Sequence, residues 1–149
     1  MSASGAAAAA EHELPVRVYY EDTDAGGIVY HANYLRFAER ARTEFLRSLG
    51  YDHRRLAEEH GLLFAVACAE IAFVAPAQLD DLLVVRTYVV RLGGVRLELD
   101  QQVCRASALV ARIGITLALI DTASLRPKRI PEALRQHFAA VLSGPVATP

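Results

Sequence analysis

The densest run of polar and small residues in the chain is Tyr20-Glu21-Asp22-Thr23-Asp24-Ala25-Gly26-Gly27-Ile28-Val29-Tyr30-His31-Ala32-Asn33-Tyr34. Asp24, the pair Gly26-Gly27 and His31 follow one another closely, and an apolar pattern of helical period begins directly after them. A helix start carries free backbone N–H groups and the positive end of the helix dipole. Such groups stabilise an oxyanion when they are aimed at one. Paired glycines let the backbone come close to a ligand. An acid just ahead of the helix start is placed to attack a carbonyl, or to activate water against it, while the carbonyl oxygen points at the N–H groups.

The same residues have plainer readings. Asp22 and Asp24 suit ordinary turn and capping positions, and His31 suits a helix terminus. Asp22, Asp24 and His31 match none of the familiar metal-ligand spacings, so no metal is expected. His12, His53, His60 and His137 are scattered and read as surface residues. Cys68 falls in an apolar strand pattern and Cys104 at a strand end, which makes both structural. No G-x-S-x-G or P-loop occurs, which disfavours a serine hydrolase of that type and a P-loop nucleotidase.

The elements that must hold this loop are legible from periodicity. Val16, Val18 and Tyr20 alternate with Arg17, Tyr19 and Glu21, which predicts a strand. Asp22 to Gly27 breaks it with turn chemistry. Tyr34, Ala38, Ala41, Phe45 and Leu49 fall on one helical face, widened by Phe37, with Gly50 where a C-terminal cap belongs. A short polar helix is expected at about Arg54 to Glu59. Four strand patterns follow: Leu62 to Ala75, interrupted by Glu70; Leu82 to Leu92; Val95 to Val103; and Leu109 to Ile120. Gly93-Gly94 signals a hairpin. The third of these strands alternates with Arg96, Glu98, Asp100 and Gln102 and is expected to have one wet face. Ala133 to Leu142 reads as a terminal helix. Short connections make the sheet antiparallel, and the one long helix is the only cover for its dry face. The expected fold is α+β, an antiparallel β-sheet wrapped around one long central helix.

The chain has 149 residues, 53% hydrophobic and 22% charged, with net charge -1. That is one domain with enough chain to bury a core. There is no basic field to attract nucleic acid, and no apolar run reaches the roughly 18 residues of a membrane-spanning helix. The two cysteines build no disulfide framework and fit a reducing cytoplasm. Ala6 to Ala10 lacks the basic flank of a signal peptide. Residues 1–13 are expected to be a flexible Ala-rich tail, 14–142 the domain, and 143–149, with Gly144, Pro145 and Pro149, a second flexible tail.

The run from Val16 to Tyr34, quoted above from Tyr20, resembles the acyl-CoA thioesterases of the hotdog fold. It is most similar to their Tol–Pal-associated (YbgC-like) branch, related to 4-hydroxybenzoyl-CoA thioesterase. Glu39-Arg40-Ala41-Arg42-Thr43-Glu44 continues the likeness, and Ala75-Pro76-Ala77-Gln78-Leu79-Asp80-Asp81 and Pro127-Lys128-Arg129-Ile130-Pro131 are weaker later landmarks. The likeness spans Pro15 to Phe138 and implies the hotdog arrangement of the elements above. It implies a catalytic Asp24, with Tyr20 and His31 in the active site and the oxyanion N–H at about His31. Gly26 and Gly27 would approach the substrate. Arg126, Lys128 and Arg129 are candidates for the nucleotide end, with a solvated basic turn as the equal alternative. A homodimer or homotetramer with CoA between subunits is also implied. The substrate would be a short- to medium-chain acyl-CoA, or an acyl group on acyl-carrier protein. No cofactor is expected beyond the coenzyme A carried by the substrate. The location would be the cytoplasm, with peripheral attachment at the inner membrane left open.

Two function classes remain at this stage. In the first, the chain hydrolyses acyl-CoA thioesters, with Asp24 as nucleophile or general base. A variant of it puts the working carboxylate on helical Glu39, for which an ion pair with Arg42 at helical spacing is the preferred reading. The second class is a non-hydrolytic acyl-binding or scaffold protein of the cell-envelope machinery, against which an intact Asp24 argues.

Overall fold

The computed structural model describes residues 12–146. The Ala-rich run Ala6 to Ala10 and the last residues, Ala147 to Pro149, lie outside that range. Five strands form one antiparallel sheet: β1 (His12–Arg17), β2 (Leu62–Phe73), β3 (Leu82–Leu92), β4 (Arg96–Arg105) and β5 (Ala108–Asp121). Their spatial order is β1-β3-β4-β5-β2, so β1 and β2 are the two edges. Among the described residues three α-helices complete the fold: α1 (Asn33–Ser48), α2 (His53–His60) and α3 (Glu132–Ala140).

The alternation in each strand sends one set of side chains to an inner face covered by α1. Leu83, Val85, Leu97, Leu99, Val103, Ile113 and Ile115 are buried there. From α1 the stripe Tyr34, Phe37, Ala38, Ala41 and Phe45 meets them, and Phe37 is fully buried. Burying a phenylalanine stabilises by about 1.5–3 kcal/mol, which holds the helix, and so the loop ahead of it, against the sheet. The hairpin at Gly93-Gly94 is present, closed by the Gly93 N–H on the Arg96 carbonyl at 2.8 Å. The polar helix α2 starts on Asp52, whose carboxylate accepts the Arg55 N–H at 2.8 Å, and stops at left-handed Gly61.

Several expectations are corrected. The first strand begins earlier and ends earlier than its alternation predicts. His12 and Glu13, expected in a tail, pair with Thr87 and Arg86, and His12 is half-buried beside Phe45 instead of lying on the surface. At the other end the chain curls into a single 3-10 turn at Tyr20–Asp22, because the Asp22 carboxylate takes the Tyr19 N–H at 2.8 Å. The outer face of β4 is wet only at its start, where Arg96 is exposed and Glu98 half-buried; Asp100 and Gln102 are buried. Arg112 on β5 grips Asp100 at 2.7 Å and also donates to the Val146 carbonyl at 2.6 Å. The segment after residue 142 therefore does not hang free. Ser143 donates its N–H to Val89 at 2.8 Å, and Val146 is buried.

Candidate functional site

The loop from Thr23 to Val29 is a miniature hairpin between the end of β1 and the start of α1. Thr23 and Val29 bridge across it, and the Asp24 N–H donates to the Ile28 carbonyl at 2.8 Å. The Asp24 side chain is exposed. Its Oδ1 accepts the Gly26 N–H at 2.8 Å, which fixes the carboxylate, and Oδ2 has no hydrogen-bond partner among the described residues. Gly26 has no room for a side chain without cost, since a Cβ there would sit 3.2 Å from Asp24 Oδ1. Gly27 turns the chain at φ 80°, in the left-handed region.

The loop is docked from below. The Val29 N–H donates to Ala77 at 2.8 Å, and Ile28 bridges to Gln78. The segment carrying Ala77 and Gln78 is itself pinned by Arg105, which donates to Pro76 at 3.1 Å and to the Asp81 carboxylate at 2.9 Å. At the helix start, the Asn33 N–H caps onto the Tyr30 carbonyl at 2.8 Å. The N–H groups of His31, Ala32 and Tyr34 have no acceptor among the described residues, so the donors expected of a helix start are open.

An aromatic wall flanks these donors. The rings of Tyr30 and His31 lie 4.5 Å apart. Phe73, at the end of β2, meets His31 edge-on at 6.3 Å and Tyr34 at 5.8 Å. Burial pushes the Tyr34 phenol up from its ordinary value, against a backbone hydrogen bond with Ala77 that pulls it down.

Asp24, Gly26, Gly27 and His31 thus share one loop and helix start. The Tyr20 side chain is 82% exposed and borders Tyr19, Glu21, Leu79 and Asp80, while its carbonyl accepts the Thr23 N–H at 3.1 Å at the foot of the loop. Arg126, Lys128 and Arg129 lie at the opposite end of the sheet, where the Lys128 N–H donates to Leu119 at 2.8 Å and its ammonium reaches Asp121 at 3.8 Å. Glu39 does not pair with Arg42, whose Nη1 turns inward to Gln101 Oε1 at 3.0 Å. Asn33 and Phe73 emerge here as site residues that sequence reasoning did not single out. Asn33, a polar residue at the start of an apolar helix stripe, carried a readable signal. Phe73 carried none, because its exposure depends on β2 being an edge.

Residues 18–138 match the family model described as the thioesterase-like superfamily. Over 125 residues the chain is 43% identical to the acyl-CoA thioesterase YbgC of Haemophilus influenzae, covering 84% of this chain and 92% of that one. It is 38% identical over 125 residues to the acyl-CoA thioester hydrolase YbgC of Escherichia coli O157:H7, covering 83% and 92%. Among solved structures, a probable thioesterase from Bartonella henselae superposes with a TM-score of 0.77 at 41% identity, over 80% of this chain and 98% of that one.

Proposed function

The chain belongs to the thioesterase-like superfamily, and we propose from that membership that it hydrolyses acyl-CoA thioesters to a free acid and CoA. The observation that carries the reading is the placement of the Asp24 carboxylate, fixed by Gly26, on the loop that leads into open helix-start donors. Its named relatives in Haemophilus influenzae and Escherichia coli support the acyl-CoA part.

The thioester carbonyl oxygen sits on the N–H groups near His31, where charge grows as the tetrahedral intermediate forms. Asp24 acts in one of two ways. As nucleophile, its oxygen bonds to the carbonyl carbon, the C–S bond breaks, CoA leaves as thiolate and takes a proton, and water cleaves the resulting anhydride. As general base, it takes a proton from the water that attacks the same carbon, and the tetrahedral intermediate then collapses with cleavage of the C–S bond, the departing CoA thiolate taking up a proton. No step asks for a metal or a cofactor, and coenzyme A enters as part of the substrate.

A second copy of the chain completes the site in this proposal. The β2 edge is unpaired and carries Val66 at 52% and Phe73 at 54% exposure, an invitation to strand pairing. Within one chain, the basic turn flanks the Leu63 end of β2, because Ile120 pairs with Leu63 and bridges to Pro127. The Asp24 loop flanks the Phe73 end. At about 3.3 Å per residue these ends are roughly 30 Å apart. Two β2 edges paired antiparallel about a two-fold axis bring the partner subunit's basic turn to the Asp24 end of this one. The nucleotide of CoA would then lie between subunits.

The test is release of free thiol from a panel of acyl-CoAs of increasing chain length by the purified protein. Turnover of at least one of them supports the reading. Binding without turnover across the panel would move the chain to the non-hydrolytic class.

A further inference from the structure

Between α1 and the inner face of the sheet, beside β2, lies a cavity of about 320 Å³. Phe45 and Leu46 from α1, Leu97, Leu99 and Leu117 from the sheet, and Phe138 from α3 give it apolar walls. At roughly 30 Å³ per small group, the liquid share of one water, it holds about ten heavy atoms. Neither Asp24 nor His31 lines it.

Two charged side chains, Arg42 and Glu39, also border it, and Arg42 is the one drawn inward. Arg42 is half-buried, and burial pushes its guanidinium below its ordinary value, opposed by the charge of Glu39. Its Nη1 donates to Gln101 Oε1 at 3.0 Å. Gln101 is fully buried and fixed from its other end, with Nε2 donating to the Ala38 carbonyl at 2.9 Å and to Thr87 Oγ1 at 3.1 Å. The guanidinium is therefore aimed by a rigid acceptor. Yet among the described residues no carboxylate forms an ion pair with it. A guanidinium carries five donors in a fork that matches a carboxylate. Holding such a cation out of water without a counter-ion is costly. Glu39 also borders the cavity, but it is exposed and water screens it.

A largely apolar pocket with a guanidinium in its wall that no carboxylate pairs among the described residues, and with Glu39 and His53 at its exposed border, complements an amphiphile with an anionic head. We propose that this cavity binds an aliphatic carboxylate of medium chain length, with its tail among Leu46, Leu99 and Phe138 and its carboxylate oxygens on the free donors of Arg42. Hydrolysis of an acyl thioester releases a ligand of this class, and only that link to the reaction rests on the thioesterase reading. The binding itself rests on the cavity and its cation.

The experiment is calorimetric titration of the full chain with decanoate, decanol and butyrate, with no thioester present. Decanoate is expected to bind at least about tenfold more tightly than decanol, which has the tail without the charge, the range of a charge-assisted hydrogen bond. Butyrate, with the charge and little tail, is expected not to bind measurably. Arg42→Gln should weaken decanoate by at least about tenfold and leave decanol unchanged, with circular dichroism confirming the fold. Arg42→Lys keeps the charge but loses the fork, so its decanoate affinity should fall between the wild-type protein and the glutamine variant while decanol is unchanged, and it carries the test if the glutamine variant unfolds. Equal affinity for decanoate and decanol, or no binding of decanoate to the wild-type protein, overturns the proposal. A carboxylate from a second copy already seated on Arg42 gives that last result. Because no turnover is measured, loss of the thioesterase reading leaves this result standing, and the reverse also holds.

Discussion

The side-chain amide of Asn33 donates to the backbone carbonyl of Asp22 at 2.9 Å, across eleven residues of chain. The Tyr30 N–H reaches the same oxygen at 2.8 Å. One carbonyl thus closes the base of the loop that carries Asp24 and ties it to the first residue of α1. Asn33 is buried, so its amide has no water to fall back on. Asn33→Ala should lower unfolding stability by about 1–3 kcal/mol and should lower kcat by loosening the carboxylate from the helix start. Asn33→Asp sets a carboxylate against a carbonyl and should be worse on both counts. Thermal melts and kcat for the two variants check this order, and an unaffected kcat in a destabilised Asn33→Ala protein would make the clip purely structural.

Asp24→Asn keeps the acceptor for the Gly26 N–H and removes the charge. The fold should survive, since asparagine also suits turns. A fall in kcat of at least about a hundredfold is expected, the scale of lost acid–base catalysis. Single turnover in heavy-oxygen water then separates the two roles in the wild-type enzyme: label entering the Asp24 carboxylate marks the nucleophile path. A folded Asp24→Asn protein with near-normal kcat would hand the role to Glu39, whose side chain makes no ion pair with Arg42.

The two glycines fail for different reasons. Gly26→Ala drives a methyl to 3.2 Å from Asp24 Oδ1, so it should displace the carboxylate and cut kcat with little loss of stability. Gly27 has open space around a built Cβ, but its φ of 80° is costly for a branched side chain, by about 1–2 kcal/mol. Gly27→Val should therefore shift the loop, losing most of kcat and some stability. The proposed oxyanion donor is backbone, so His31→Ala should cost less than either. Measuring kcat for all three on one good acyl-CoA, with circular dichroism as the fold control, decides it. A folded Gly27→Val enzyme at wild-type speed would reduce the loop to a connector.

Local patterns foretold what local contacts decide. The stripe from Tyr34 to Phe45 on α1, the four later strands and the hairpin at Gly93-Gly94 depend on neighbours in sequence, and each appears close to where the periodicity predicts it. What failed depends on groups far along the chain. Asp100 and Gln102 read as solvent-facing until Arg112 and the segment ending at Val146 cover them. Glu39 and Arg42 have helical spacing for an ion pair, yet Gln101 on β4 captures the guanidinium instead. Gly144 and Pro145 read as loose, but a backbone bond to Val89 and a contact with Arg112 hold that segment. The candidate site was legible because it is one contiguous loop. Phe73 was not, because its place beside His31 and Tyr34 depends on where the end of β2 meets the start of α1.

That edge gives the last prediction. If two copies pair along β2, no stable 16.2 kDa species should exist at micromolar concentration, and activity should track assembly. Val66 is 52% exposed on the edge strand, and a lysine there puts a charge into the apolar seam that two paired β2 edges would bury. Charged edge residues are a known guard against such pairing. Val66→Lys should therefore yield a folded monomer with little thioester hydrolysis. Replacing Arg126 and Arg129 by glutamine should leave assembly intact but raise KM for acyl-CoA, because those side chains meet the nucleotide only across the interface. An acyl-pantetheine substrate lacks the nucleotide and should show no such rise. Light scattering on each variant, paired with KM for both substrates, reads out the whole chain of reasoning. A wild-type monomer with full activity sinks the shared site, and equal KM increases for the two substrates would return Arg126 and Arg129 to a solvated turn.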